Sequence, residues 1–561
     1  MRFIILLFTV SLMFASAEDD LGPFGIGSCH INNRNVKDSA RWIPQMKAIG
    51  LKYYRSGQTG WAAVEPKQGE WNWKTLDDQL DYLTDQGFTY CGILIGNPKW
   101  NTADARGSLP VNNLPGWSSY VSAIVAHCGD RVKRWEVWNE PPNFTGKDQT
   151  PADYAKIVER AYHAAKEANP NCQIGLAAKS VHVNYLEQVI KAGAKDHFDY
   201  ITLHPYEVLN GIADNSGTES LFMNIVPTVR KMLEAQNPAN KDVPIIFTEL
   251  GCDLKKGADT QAHTLIKAYT MSIAQGVACV HWFEGMDGDS GPLGLLDRKA
   301  VPRPAYFAME QMIKHLGQEP VYQGWLLTGD SQIGFVFQGE AGPVLVAWDK
   351  RRVTNEFRFD EKVKIVNPID GSTSETDRHE LSTAPVFVLD PPPKLLEMAK
   401  TNRDQPIPWG GDFTESNSVS ITMGENAEEN GLHTLSGKAV AEAVTGYGGS
   451  ARAGNVPGGN LFVVDPGFLS YTSEPIEITA VVRRNEANDN AGFKLVYEST
   501  DGFKTAGGWY TIPDNKKWHT VTWKIPVPQF VSYWGYNFSL VSDGNQYNRY
   551  FIQSVSVRKT K

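Results

Sequence analysis

Residues 134–180 read RWEVWNEPPNFTGKDQTPADYAKIVERAYHAAKEANPNCQIGLAAKS. An apolar strand ends here in an amide and a carboxyl, Asn139 and Glu140, and is stopped by Pro141 and Pro142. After a polar loop, Thr150-Pro151 followed by Asp153 supplies a cap, a first-turn proline and an acid at the positive end of a helix. Tyr154, Ile157, Val158, Ala161 and Ala165 then recur at helical spacing, and Asn169-Pro170 ends the run. A second apolar strand, CQIGLAAKS, follows. A carboxyl at the lip of an apolar strand is costly unless it is paired or used.

The same unit recurs along the first half of the chain. Apolar runs begin at residues 25 (GIGSCHI), 51 (LKYYRS), 89 (TYCGILIG), 134, 172, 199 (DYITLHPY), 244 (PIIFTELG) and 278 (ACVHWFEG). Between them lie helical patterns such as KTLDDQLDYLTDQG, with Leu76, Leu80 and Leu83 on one face and Gly87 at its end. Eight strand–helix repeats within residues 18–317 predict an α/β fold, a (β/α)8 barrel. A doubly wound sheet would instead show a phosphate-binding glycine turn. Beyond Gly317 the register changes to strands around tight turns, predicting a small antiparallel β-sandwich over 318–391. The proline- and charge-rich segment 392–408 reads as a linker. Strands such as PIEITAVVRR and WHTVTWKIP predict a C-terminal jelly-roll-like β-sandwich over 409–561. Trp518 and Trp523, five apart, fall on opposite faces of one strand. Carbohydrate binding and packing against the barrel both suit this last domain.

The 561 residues are too many for one core. Residues 1–17, MRFIILLFTVSLMFASA, have the charged start, short apolar run and small-residue end of a secretory signal peptide, which predicts a secreted or periplasmic protein. No later run approaches the ~20 apolar residues of a membrane span. The net charge of −9, with no basic block, argues against nucleic acid and anionic membrane as partners. The six cysteines have no metal-site spacing and read as small buried hydrophobes; no metal or cofactor is expected.

Barrels of this kind carry their chemistry at the C-terminal ends of the strands. Those ends read Cys29-His30, Arg55, Asn97 to Trp100, Asn139-Glu140, Lys179-Ser180, His204 to Tyr206, Glu249 and Trp282 to Glu284. Glu140 and Glu249 therefore face each other across one rim, at a separation of ~5–10 Å that glycosidase carboxyl pairs occupy. One carboxyl protonates a leaving oxygen while the other attacks the anomeric carbon or activates water. Arg55 and Tyr206 are placed to hold an ionised Glu249, with His204 beside them. Glu140, near Trp138, is expected to stay protonated. Asn139 is placed for a sugar hydroxyl, Trp282 and Trp100 for a sugar face, and Glu284 for substrate hydroxyls. Glu136 reads as a buried structural carboxyl. Lys179, with Lys99 and His182, offers point charge for a carboxylated or sulfated sugar, against the plainer reading of an ion pair.

These residues resemble clan A retaining glycoside hydrolases. The resemblance rests on W-N-E-P ending strand four, T-E-L-G ending strand seven, GWAAVEPKQGEWNW after strand two, NPKW after strand three and His204-Pro-Tyr206. The barrel followed by a small sandwich is most similar to glycoside hydrolase family 39 and its relatives. The resemblance implies a metal-free retaining mechanism on a β-linked poly- or oligosaccharide. Glu249 is then the nucleophile that forms a glycosyl intermediate, and Glu140 the acid/base. A sugar-binding surface protein with an inactive barrel and a transglycosylase are the alternatives.

Overall fold

The structure is a computed structural model. It describes residues 21–560 except 103–106, 330, 352–353, 426, 436–442, 447–448, 457–458, 472 and 488–489. The expected signal segment 1–17 lies outside the described residues. No described helix is long and apolar enough to cross a membrane.

The eight apolar runs form eight parallel strands: β1 (Phe24–Gly27), β2 (Tyr53–Ser56), β3 (Thr89–Leu94), β4 (Arg134–Val137), β5 (Gln173–Lys179), β6 (Tyr200–His204), β7 (Ile245–Leu250) and β8 (Cys279–Trp282). They pair in sequence order, and β1 closes on β8 with Ile26 opposite Trp282. Glycines make room for aromatic rings between strands: a Cβ on Gly175 would lie 2.5 Å from the Tyr200 ring, and one on Gly92 2.7 Å from that of Trp135. The helix Pro151–Ala168 starts as its sequence dictates, the Asp153 carboxylate accepting the Thr150 amide at 3.0 Å.

Six strands follow: β9 (Val321–Thr328), β10 (Gln332–Gly339), β11 (Gly342–Asp349), β12 (Asn355–Val366), β13 (Thr373–Leu381) and β14 (Val386–Leu389). They pair in the order β13-β12-β14-β11-β10-β9. Alternation sorts their side chains. Ile333, Phe335 and Phe337 join the barrel core, while Val336 and Leu345 face the other way with Phe357 and Phe359. The segment 392–408 is not a free spacer. It carries the helix Pro393–Asn402, whose Leu395, Leu396 and Ala399 cover that second face. Pro393 at the first turn presets the helix, and Gly324 admits it: a Cβ there would lie 1.8 Å from the Ala399 carbonyl.

The C-terminal sandwich packs two antiparallel sheets face to face over a core including Ile478, Phe493 and Phe538. Trp523 is inside that core and Trp509 is exposed. The domain is docked on the barrel through buried polar contacts. Asn184 Nδ2 donates to the Ser499 carbonyl at 2.8 Å. The Tyr471 hydroxyl and Gln529 Nε2 both donate to Glu187 Oε2 at 2.9 Å. At the centre is Glu498, fully buried, which accepts the backbone amides of Val531, Ser532 and Tyr533 at 2.9, 3.0 and 2.7 Å and Asn537 Nδ2 at 3.1 Å. That carboxyl sets the path of the loop that meets the barrel. Glu498→Ala would leave three loop amides without this acceptor, two of them buried, so we expect a loss of about 3 kcal/mol, read as a lowered Tm in thermal unfolding. An unchanged Tm would mean that the loop holds its path without this carboxyl.

Candidate active site

Three local features aim the functional side chains. After β4 the backbone turns through left-handed conformations at Trp138 (φ 67°) and Glu140 (φ 47°), a cost of ~1 kcal/mol or more for each non-glycine residue. The turn lets Asn139 and Glu140 both reach the rim. It is held by the buried Trp138 ring, whose Nε1 donates to the Phe144 carbonyl at 2.8 Å. In β7 the register against β8 shifts between Phe247 and Leu250. A bulge of this kind re-aims side chains, and consecutive residues Thr248 and Glu249 here both contact the barrel interior. After β6, Tyr206 opens the helix Tyr206–Ala213 and points back to the rim.

Below the rim lies a buried polar layer. Arg55 on β2, 4% exposed, donates to Glu136 Oε2 at 2.6 Å, to Glu249 Oε1 at 2.5 Å and to Asn139 Oδ1 at 2.7 Å. Burial opposes its charge, but the two carboxylates outweigh that and hold it protonated. Glu136 is fully buried; its other oxygen accepts the hydroxyls of Thr202 at 2.6 Å and Thr248 at 2.9 Å. Against burial, the charges of Arg55 and His204 and these bonds keep it ionised, below the usual carboxylate range. The Tyr206 hydroxyl donates to Glu249 Oε2 at 3.3 Å.

The Thr248 proton points at Glu136, so its oxygen accepts from His204 Nε2 at 3.0 Å. That fixes the tautomer. His204 Nδ1, 3.0 Å from Glu140 Oε1, either accepts the Glu140 acid proton or donates one to the carboxylate. One proton is thus shared between them, and its resting place corrects the expectation for Glu140. Burial favours the neutral acid, but the His204 hydrogen bond and the charges of His204, Lys179 and Arg55 lower the Glu140 pKa below the carboxylate range. Burial opposes a charged His204 too, yet Glu249 and Glu140 raise its pKa above the ordinary 6.5. The two shifts together favour the pair with His204 charged and Glu140 a carboxylate.

The structure therefore brings Arg55, Asn139, Glu140, His204, Tyr206 and Glu249 together. Single ligand-type atoms of Glu140, His204 and Glu249 lie within 4.8 Å of one another. A dication there would face the Arg55 guanidinium, so the group reads as a hydrogen-bonded acid pair.

Other expected residues fall elsewhere. Trp282 is 0% exposed and cannot receive a sugar: the segment after β8 folds back over it, and its Nε1 donates to the Leu293 carbonyl at 3.3 Å. The aromatic surface at the end of β8 belongs to Phe283, which is half-buried. Glu284 is also 0% exposed, its oxygens taken by the amides of Gly288 at 2.9 Å and Cys29 at 3.1 Å. Burial raises its pKa to about 7, and it has no surface for substrate hydroxyls. Trp100 stands edge-on to Trp61 at 5.5 Å and donates to the Glu65 carbonyl, which makes it a wall of the loop after β2. Among the described residues Lys179 makes no ion pair, and it is not an open charge either. Its Nζ lies 4.5 Å from the centre of the Trp534 ring, in the C-terminal sandwich. All six cysteines are buried free thiols.

Residues 26–351 match the family model described as glycosyl hydrolases family 39. The chain belongs to that family. It is a retaining glycoside hydrolase. The match runs through the barrel into β11 and leaves the C-terminal sandwich outside. Comparison with curated proteins gave no match. Among solved structures, a family 39 glycoside hydrolase from the gut symbiont Bacteroides cellulosilyticus WH2 superimposes with a TM-score of 0.54 at 18% identity, covering 66% of this chain and 81% of that one. The catalytic domain of the family 30 xylanase C from Talaromyces cellulolyticus gives 0.48 at 11% identity, covering 66% and 96%.

The shared proton has a measurable signature. A pair holding one proton releases it near the raised His204 value, so the alkaline limb of the kcat/KM–pH profile should lie above 6.5. In His204→Gln only the carboxyl can hold that proton, and the limb should move down toward the carboxylate range. A limb that stays in place would remove His204 from the proton path.

Proposed function

We propose that the protein is an exported hydrolase of β-linked poly- or oligosaccharides that works by double displacement, with Glu249 as nucleophile and Glu140 as acid/base. The observation that carries this reading is the carboxyl separation. One oxygen of Glu140 and one of Glu249 lie within 4.8 Å of each other, which favours the close carboxyls of retaining pairs, ~5–5.5 Å apart, over the ~6.5–9.5 Å that inverting pairs keep for a water. Export rests on residues 1–17.

The two halves of the reaction follow from the contacts. Glu249, its charge held by Arg55 and its second oxygen by Tyr206, attacks the anomeric carbon. The proton shared by His204 and Glu140 passes through Glu140 to the glycosidic oxygen as the carbon–oxygen bond breaks. Glu140 is then a carboxylate beside a neutral imidazole. It takes a proton from an entering water, whose oxygen displaces Glu249 from the anomeric carbon and restores both the configuration and the pair. Arg55 stabilises the Glu249 carboxylate as it leaves.

The test is reducing-end release from neutral, uronic and sulfated polysaccharides and from aryl β-glycosides. Activity on one class should disappear in Glu249→Gln. Glu140→Ala should slow natural substrates about 10²–10⁴-fold, while activated aryl glycosides retain rate and azide yields a β-glycosyl azide. Equal rates in wild type and Glu249→Gln would refute the assignment and return the barrel to a binding role. Lengthened products in mass spectra would identify a transglycosylase.

A further inference from the structure

The line joining Glu140 on β4 to Glu249 on β7 divides the barrel rim. On one side lie β8 and β1 to β3, with Phe283 and Arg55, and Arg55 turns Asn139 by its 2.7 Å bond. Under the proposed mechanism Asn139 meets a hydroxyl of the sugar that becomes attached to Glu249. The leaving group then lies on the other side, over β5 and β6. That side is not closed by the barrel. The Lys179 amide donates to the Pro141 carbonyl at 3.0 Å, one residue from the acid, and the Lys179 ammonium sits over Trp534. Trp534 comes from the loop 530–537 of the C-terminal sandwich.

The loop is built to stay there. The Tyr533 ring stacks on His182 at 3.8 Å and its carbonyl accepts the Ser180 hydroxyl at 2.7 Å. Gly535 (φ 78°) passes so close that a Cβ would lie 3.0 Å from the Glu207 carbonyl. Glu498 holds three successive amides from inside its own domain. Such fixation is more than docking requires for Trp534 itself, which stays half-exposed while the residues on either side of it are buried. A tyrosine, a glycine and a buried carboxyl hold one half-buried indole on the Lys179 side of the acid.

We propose that the C-terminal sandwich completes the substrate cleft, and that Trp534, braced by Lys179, binds the sugar ring of the leaving group. The apolar C–H face of a pyranose packs on an indole, and the adjacent ammonium can donate to its hydroxyls or to a carboxylate. The inference rests on the double-displacement reading, so its test separates the two half-reactions. A panel of 2-deoxy-2-fluoro-β-glycosyl fluorides traps the intermediate, because fluoride leaves without needing a ring site. Reactivation by a disaccharide acceptor then needs that site.

In Trp534→Ala the trapping rate should change less than reactivation. Reactivation by the best of a set of neutral and uronic disaccharides should fall about tenfold relative to trapping, with Trp534→Phe in between. Trapping also reports that the variant has folded. Trapping and reactivation that fall equally, or no acceleration of wild-type reactivation by any disaccharide over water, would overturn the leaving-group site alone. Failure of every fluoride to label Glu249 in the wild type would overturn the catalytic reading, and this inference with it.

Discussion

Arg55 directs its donors at three acceptors from the ends of two other strands, Glu136, Asn139 and Glu249; Arg55 and Glu136 are buried, while Asn139 and Glu249 stand at the open rim. An isolated guanidinium there would cost several kcal/mol, and so would the buried Glu136 carboxylate. Each is tolerable only because the others are in place, and breaking such a pair typically costs ~3–5 kcal/mol. The barrel's polar layer, the aim of the nucleophile and the orientation of Asn139 are therefore one arrangement. Thr202 and Thr248 complete it on Glu136, and Thr248 passes the constraint to His204 by leaving only its oxygen to face the imidazole. From a cation on β2, a chain of obligatory hydrogen bonds thus decides which ring nitrogen meets the acid on β4.

Much of this was legible in the chain. Strand spacing placed eight rim positions, and among them Arg55, Glu140, His204, Tyr206 and Glu249 meet as expected, because a closed barrel gathers the C-terminal ends of its strands on one rim. The rest depended on contacts that no local pattern encodes. Trp282 looked available because it ends a strand, yet Leu295 and Leu296 return to bond the carbonyls of Glu284 and Gly285 and bury it. Glu284 lost its role to the same fold-back. The shift in β7 that turns Thr248 and Glu249 inward leaves no mark in the residues P-I-I-F-T-E-L-G. For Glu140, Trp138 was visible in the sequence, whereas the closeness of His204, which pulls its pKa the other way, needed coordinates.

The segment 392–408 shows the same limit at larger scale. Prolines and charges suggested a spacer, and nothing local to Leu395 and Leu396 says what they cover. Against the second face of the β9–β14 sheet, they are its cover. The six thiols were read as buried hydrophobes, and they are. Composition predicts burial well and predicts partners poorly.

The loop that carries Trp534 couples two modules, of which the family model covers the first. The family match stops at residue 351, so the sandwich stands outside what the model for this family describes. A recombination that exchanged this sandwich for another would put a new loop over β5 without touching a residue of the acid pair. The reaction would be inherited from one ancestor and the shape of the accepted saccharide from another. Diversification of such an enzyme can then proceed by replacing a wall, with the chemistry of the barrel left unaltered.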